Sequence, residues 1–248
     1  AKRKGTHDES KFRRLDEESI RLISGLKRGR TLVTLSPETC TPDDIRALAR
    51  AGVIVAAGHT DADYATLREA FAAGVSGVTH LFNAMSPLGH RAPGAVGATL
   101  EDQQVYAGLI VDGRHVDPSV LRIALRTRPH DRFMLVTDAM PTVGSASPIF
   151  RLQGKTIRVE NGVCVDEAGV LSGSNLDMGS ALRNAVRMMG VSVAEAAVMA
   201  ASAPAAFLGL QDRGTLSPGR RADLVWVDRE LEVRGVWIGR DPGAAAGG

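Results

Sequence analysis

Apolar positions Leu15, Ile20, Leu22, Ile23 and Leu26 recur at roughly helical spacing across 15–30, and the β-rich run 31–35 follows directly. The pattern predicts a helix feeding a strand. The alternation repeats along the chain, with helix over 42–51, strand over 53–57, helix over 62–73 and strand over 75–79. Pro42 suits a first helical turn and Thr41 suits its cap. A loop rich in glycine and proline spans 83–97, followed by a strand over 105–111, a helix starting near Asp117 and Pro118, and a strand over 133–137. Strands alternating with helices at this pace imply βαβ units with parallel strands, either doubly wound or closed into a barrel.

The texture changes after Thr142. The stretch 150–165 reads as a hairpin around Glu160, Asn161 and Gly162, and two helices are expected over 177–210. Strands over 222–227 and 232–238 are expected to belong to a small β-sandwich beside the main domain. The resulting division is a main domain over 1–210, sandwich strands over 211–240, and a tail over 241–248 too poor in apolar bulk to fold.

Composition narrows the function classes. With 44% apolar and 23% charged residues among 248, the chain can bury a core of its own. Lys plus Arg number 30 against 28 for Asp plus Glu, no long block of one sign exists beyond the Lys2–Lys4 cluster, and aromatics are only 4%, so nucleic acid is not an expected partner. Cys40 and Cys164 show no CxxC spacing, which argues against a disulfide framework or a cysteine metal site and fits a reducing cytoplasm. No window supplies the roughly 18 apolar residues of a membrane helix, and the polar first ten residues lack a signal-peptide core. The first residue is Ala rather than Met, so the natural beginning is expected to be absent or processed.

The chemistry collects immediately after the predicted strands. Glu38, His59, His80, His115 and Asp138 each follow one of five successive strands. In a (β/α)8 barrel the C-terminal strand ends meet at one face, so residues far apart in sequence converge there. Imidazoles and carboxylates are natural ligands for a divalent ion, which lowers the pKa of bound water while a nearby carboxylate accepts its proton. His59 and His80 are the candidate ligands and Asp138 the candidate base. Each residue also has an ordinary alternative, a loop histidine held by hydrogen bonds or an aspartate capping a helix. The joint pattern is what favours a metal hydrolase.

The segments Lys4-Gly5-Thr6-His7, Ala57-Gly58-His59-Thr60, Thr79-His80-Leu81-Phe82-Asn83-Ala84-Met85, Asp112-Gly113-Arg114-His115-Val116-Asp117, Leu135-Val136-Thr137-Asp138-Ala139 and Leu171-Ser172-Gly173-Ser174 resemble the N-acetylglucosamine-6-phosphate deacetylases of the amidohydrolase superfamily. The resemblance runs in order from about Lys4 to Ile238. It implies an α/β fold, a (β/α)8 TIM-like barrel incomplete at its N-terminus, with a small β-sandwich, and a homodimer. It also implies a metal-dependent hydrolase that deacetylates N-acetyl-D-glucosamine 6-phosphate. By the family pattern His59 and His80 bind a divalent ion, zinc first, with iron, manganese or cobalt as alternatives. Asp138 acts as general base on a metal-activated water and then as general acid toward the leaving amine, while His7 polarises the acetamide carbonyl. Thr6, His7, Asn83, Ala84, Arg91, Asp112, His115, Leu171, Ser172 and Gly173 would contact the amino-sugar phosphate, Arg91 through its planar fork on the 6-phosphate.

The family also carries, just ahead of this chain's first motif, a His-Leu-Glu-Gly-Pro run whose glutamate is a metal ligand, and that run is not in this sequence. A catalytic zinc normally has three protein ligands, so a site with two imidazoles is expected to be incomplete, and Glu38 is expected to be structural. Two other readings are a different amidohydrolase acting on another amide, which would not need the Arg91 anion site, and a catalytically silent protein that binds the sugar phosphate without stoichiometric metal.

Overall fold

In the computed structural model, which describes residues 2–239, five short strands carry the architecture. They are β1 (Leu32–Leu35), β2 (Ile54–Ala57), β3 (Val75–Val78), β4 (Tyr106–Ile110) and β5 (Phe133–Val136), all parallel and hydrogen-bonded in sequence order. Helix α1 (Glu17–Ile23) precedes β1, and α2 (Pro42–Arg50), α3 (Tyr64–Ala73), α4 (Gly94–Glu101) and α5 (Pro118–Leu125) fill the four crossovers. A doubly wound sheet reverses its strand order at a switch point, whereas this order never reverses. The sheet is therefore an arc of a (β/α)8 barrel, as expected.

Local chemistry explains where the elements begin. Thr41 and Asp44 form a reciprocal capping box at α2, with Pro42 in the first turn. Asp63 caps α3 by accepting from Thr66 N, and Asp117 caps α5 by accepting from Ser119 N. Ile45, Leu48, Leu67 and Leu121 then face the sheet, where they meet Val55, Val78, Leu109, Phe133 and Leu135 in one buried core.

Helix α4 corrects the expected loop over 83–97. Every residue from Gly94 to Leu100 is buried, so the segment has no polar face to reveal a helical period, and its glycines read as loop. The fold requires at least one of them, because a Cβ on Gly97 would lie 2.5 Å from Pro93 Cβ.

The hairpin expected over 150–165 proves to be the middle of a four-stranded antiparallel sheet, β6 (Ile149–Leu152), β7 (Lys155–Glu160), β8 (Val163–Val165) and β9 (Leu171–Ser174). Two-residue turns at Gln153-Gly154 and Asn161-Gly162 join its first three strands, and both residues of each turn have positive φ, as type I′ hairpins need. Two helices were expected over 177–210. Two continuous helical runs form there: α6 (Met178–Asn184) passes into a π-helical turn, and α7 (Val193–Ala197) passes through a second π-helical turn into α8 (Ala203–Phe207). Gly190, left-handed at φ 76°, ends the first run. Strands β10 (Leu224–Val227) and β11 (Val233–Trp237) pair only with each other among the described residues, leaving Trp226, Val236 and Trp237 more than half exposed. The expected sandwich is thus represented here by a ribbon, and the expected tail at 241–248 lies outside the described residues.

Candidate active site

The strand ends turn sharply. His59, His80 and Asp138, directly after β2, β3 and β5, have φ of 49°, 35° and 52°, a left-handed backbone that side-chain-bearing residues rarely adopt. Local strain of this kind persists where the surroundings over-determine it and concentrates at functional sites. Thr60 N donates to Ala84 O and Ser86 N donates to Thr60 O, which stitches the loop after β2 to the loop after β3.

These turns bring His59 and His80 together, with their Nε2 atoms 3.0 Å apart. His59 Nδ1 lies 3.0 Å from the carbonyl oxygen of Arg3. A carbonyl only accepts, so His59 carries its proton on Nδ1 and presents a bare lone pair on Nε2. Two ligands of one tetrahedral ion stand roughly 3.3 Å apart by simple geometry from metal–nitrogen bonds of about 2.05 Å. His80 Nδ1 is buried without a hydrogen-bond partner, so in the metal-free protein the His80 proton sits on Nε2 and is donated to the His59 Nε2 lone pair, the position a bound ion would take over. The pair therefore fits two positions of a divalent ion. Among the described residues no group of three or more His, Cys, Asp or Glu side chains could hold one, so the set supplies two ligands and not three.

The other expected residues fall at different distances from this pair. Asp138 acts electrostatically on both imidazoles, and its carbonyl accepts from Ser174 N at 2.8 Å. That bond places Leu171, Ser172 and Gly173 of β9 next to the loop after β5. The His7 ring stands 4.6 Å from His59, edge to face, and Thr6 keeps a buried hydroxyl with no partner. His115 Nδ1 meets Asp112 Oδ2 at 2.6 Å, and both side chains are under 10% exposed. Burial pushes the Asp112 carboxyl up, but hydrogen bonds from the His115 ring and from the His115 and Arg114 amides outweigh it and hold the group below the usual carboxylate range. Asn83 turns its amide inward onto the carbonyls of His80 and Leu81, while Ala84 offers its own carbonyl to Thr60. Arg91 is exposed ahead of α4 and has no side-chain partner among the described residues.

Glu38, expected to be structural, accepts from the Thr60 hydroxyl and, at 2.6 Å, from Asp61 N, so it braces the loop that carries His59. Asp61 and Arg3 escaped the sequence reading. A carboxylate two residues after His59 was the one signal that could have drawn attention to the former.

Burial, joined by the facing His80, holds His59 below the usual 6.5, and burial does the same for His80 despite the nearby Asp138 charge. The unfolded chain takes up these protons near 6.5 while the folded chain resists them. Stability of the metal-free protein is therefore expected to be full above that value and to fall as pH drops through and below about 6.5. Urea midpoints measured down that range check this, and a His80→Gln variant should show a shallower fall. A midpoint that stays constant as the solution is acidified would contradict the burial argument.

The Amidohydrolase family profile matches residues 1–242, and the chain belongs to that family. It is 39% identical over 237 residues to an N-acetylgalactosamine-6-phosphate deacetylase of Shewanella sp. (strain ANA-3), covering 95% of this chain and 60% of that protein. It is 38% identical to the N-acetylglucosamine-6-phosphate deacetylase of Bos taurus, again covering 95% and 60%. Among solved structures it is similar to N-acetylglucosamine-6-phosphate deacetylase from Pasteurella multocida, with a TM-score of 0.91 and 34% identity over 95% of this chain and 62% of that one. A mutant of the Mycobacterium smegmatis enzyme in complex with N-acetyl-D-glucosamine-6-phosphate matches with a TM-score of 0.88 and 35% identity, covering 95% and 64%. The chain spans about 60% of the length of the curated relatives it matches. Among the described residues no helix is long and apolar enough to cross a membrane.

Proposed function

We propose that the protein hydrolyses the acetamide of N-acetyl-D-glucosamine 6-phosphate, releasing acetate and the free amino sugar phosphate. The convergence of His59, His80 and Asp138 at the ends of β2, β3 and β5 supports this reading, in a chain whose relatives bear deacetylase names. His59 and His80 would hold a divalent ion, zinc before iron, manganese or cobalt, whose Lewis acidity lowers the pKa of an attacking water. Asp138 takes a proton from that water and returns it to the amine nitrogen as the C–N bond breaks, so the proton count balances. His7 donates toward the acetyl oxygen. His115, with its Nδ1 proton held by Asp112, presents Nε2 as an acceptor to a sugar hydroxyl. Arg91, Asn83 and Ala84 receive the 6-phosphate, and Thr6 and the β9 backbone at Leu171, Ser172 and Gly173 line the pocket. A homodimeric, cytoplasmic enzyme completes the reading, the homodimer resting on the resemblance and the compartment on the isolated cysteines Cys40 and Cys164.

One observation favours a second substrate. The relatives divide between N-acetylglucosamine and N-acetylgalactosamine 6-phosphates, which differ only in the C4 hydroxyl, at comparable identity. Both sugars therefore belong in the test, together with unphosphorylated N-acetylglucosamine. Acetate release is expected from the phosphorylated sugars, and Arg91→Ala should raise their KM about tenfold or more, the worth of one charge-assisted hydrogen bond, while leaving the unphosphorylated sugar nearly unaffected. Equal effects on all three sugars would defeat the phosphate assignment, and no release under any divalent metal would defeat the deacetylase reading for this polypeptide.

A further inference from the structure

The bare lone pair on His59 depends on the Arg3 carbonyl, which belongs to a segment 56 residues away in sequence. Asp61 is what ties that segment down. Its Oδ2 receives Lys2 Nζ at 2.6 Å and its Oδ1 receives Arg3 Nε at 2.8 Å. Among the described residues the only other ion pair of the segment, Lys4 with Glu9, is internal to it. Asp61 is itself fixed from below, since its amide donates to Glu38 Oε1 at 2.6 Å and the adjoining Thr60 hydroxyl donates to the other oxygen of the same carboxylate. Ala62 N donates back to Thr60 Oγ1 at 3.0 Å, closing the turn. A chain of contacts thus runs from the end of β1, through the loop that carries His59, to the segment that touches the His59 ring.

We propose that Asp61 is a positioning residue for His59: by clasping Lys2 and Arg3 it seats the Arg3 carbonyl on Nδ1 and so selects the imidazole tautomer whose Nε2 is free to bind a metal. In a neutral imidazole the proton follows whichever nitrogen finds an acceptor, so losing the carbonyl at Nδ1 lets it redistribute to Nε2. Partners that orient a metal-binding imidazole in this way are typically worth about 10- to 100-fold in metal affinity. The metal-related consequence rests on the proposed reading of His59 as a ligand, whereas the tautomer does not.

The test uses the full 248-residue chain, labelled with ¹⁵N-histidine, metal-free and at a pH above the usual histidine range, with His59→Gln assigning the signal. Long-range ¹H–¹⁵N spectra of the parent should show a protonated Nδ1 and a bare Nε2 for His59. In Asp61→Asn, and equally in Lys2→Gln/Arg3→Gln where Asp61 is intact, Nε2 should become partly protonated and zinc affinity should drop about 10- to 100-fold. The double variant alters exposed or half-exposed side chains, so it keeps the proposal testable if Asp61→Asn folds poorly. An unchanged tautomer in a folded variant overturns the proposal, as does a change in Asp61→Asn that the double variant does not reproduce. If the tautomer responds as expected but the parent takes up no zinc, the clasp stands and the metal-ligand reading of His59 fails.

Discussion

If the protein deacetylates as proposed, replacing Asp138 with asparagine is expected to lower kcat for acetate release by about 100- to 10,000-fold, the usual contribution of a positioned acid–base group. Asparagine is the right substitution because Asp138 sits at φ 52°, a conformation that Asn tolerates far better than other side chains, so the turn after β5 survives. Its backbone bond from Ser174 N is untouched as well. The loss should therefore fall on kcat, with folding and zinc uptake preserved. Steady-state kinetics on N-acetylglucosamine 6-phosphate, with a denaturation curve alongside, separate these effects. A kcat within a few-fold of the parent would remove Asp138 from the proton transfers and leave it as a loop residue.

Arg128 offers the largest expected loss of stability. The side chain is 5% exposed, donates from Nη1 to Thr99 O at 2.7 Å and from Nη2 to Val105 O, and lies 5.3 Å from the centre of the Phe133 ring. It thereby joins the last turn of α4, the entry to β4 and the approach to β5. Burial pushes its pKa down to about 10, and its Nε has no partner, so the cation is held at a cost. Removing it relieves that cost but strands two carbonyls, each worth about 1–3 kcal/mol when left unpaired, and leaves a side-chain-sized hole. The second group of effects is the larger, and Arg128→Ala is expected to destabilise by about 2–4 kcal/mol. At about 2–4 °C per kcal/mol for a chain of this size, the Tm should fall by roughly 5–15 °C. Arg128→Lys should recover only part of the loss, because an ammonium lacks the fork that reaches both carbonyls. An alanine variant as stable as the parent would mean that water enters and pairs the carbonyls.

Much of the barrel was legible because its signals are local. Thr41, Asp63 and Asp117 cap helices within three residues of themselves, and β2, β3, β4 and β5 are short apolar runs whose ends the pattern located to within a residue or so. The placement of His59, His80, His115 and Asp138 after those strands was legible for the same reason, since a parallel barrel sends every strand end to one face. Helix α4 was not legible, because a segment buried on all sides shows no amphipathic period.

By itself the sequence determined the order and type of most elements and the identity of the residues at the strand ends, since backbone propensity, capping and turn chemistry act over a few residues. Only the tertiary structure decided what those residues do to one another. Three couplings show this: the 3.0 Å approach of His59 to His80, the Arg3 carbonyl on His59 Nδ1, and the buried fork of Arg128. Each joins groups 21 to 56 positions apart, and no local period encodes a contact that exists only after the βαβ units have stacked.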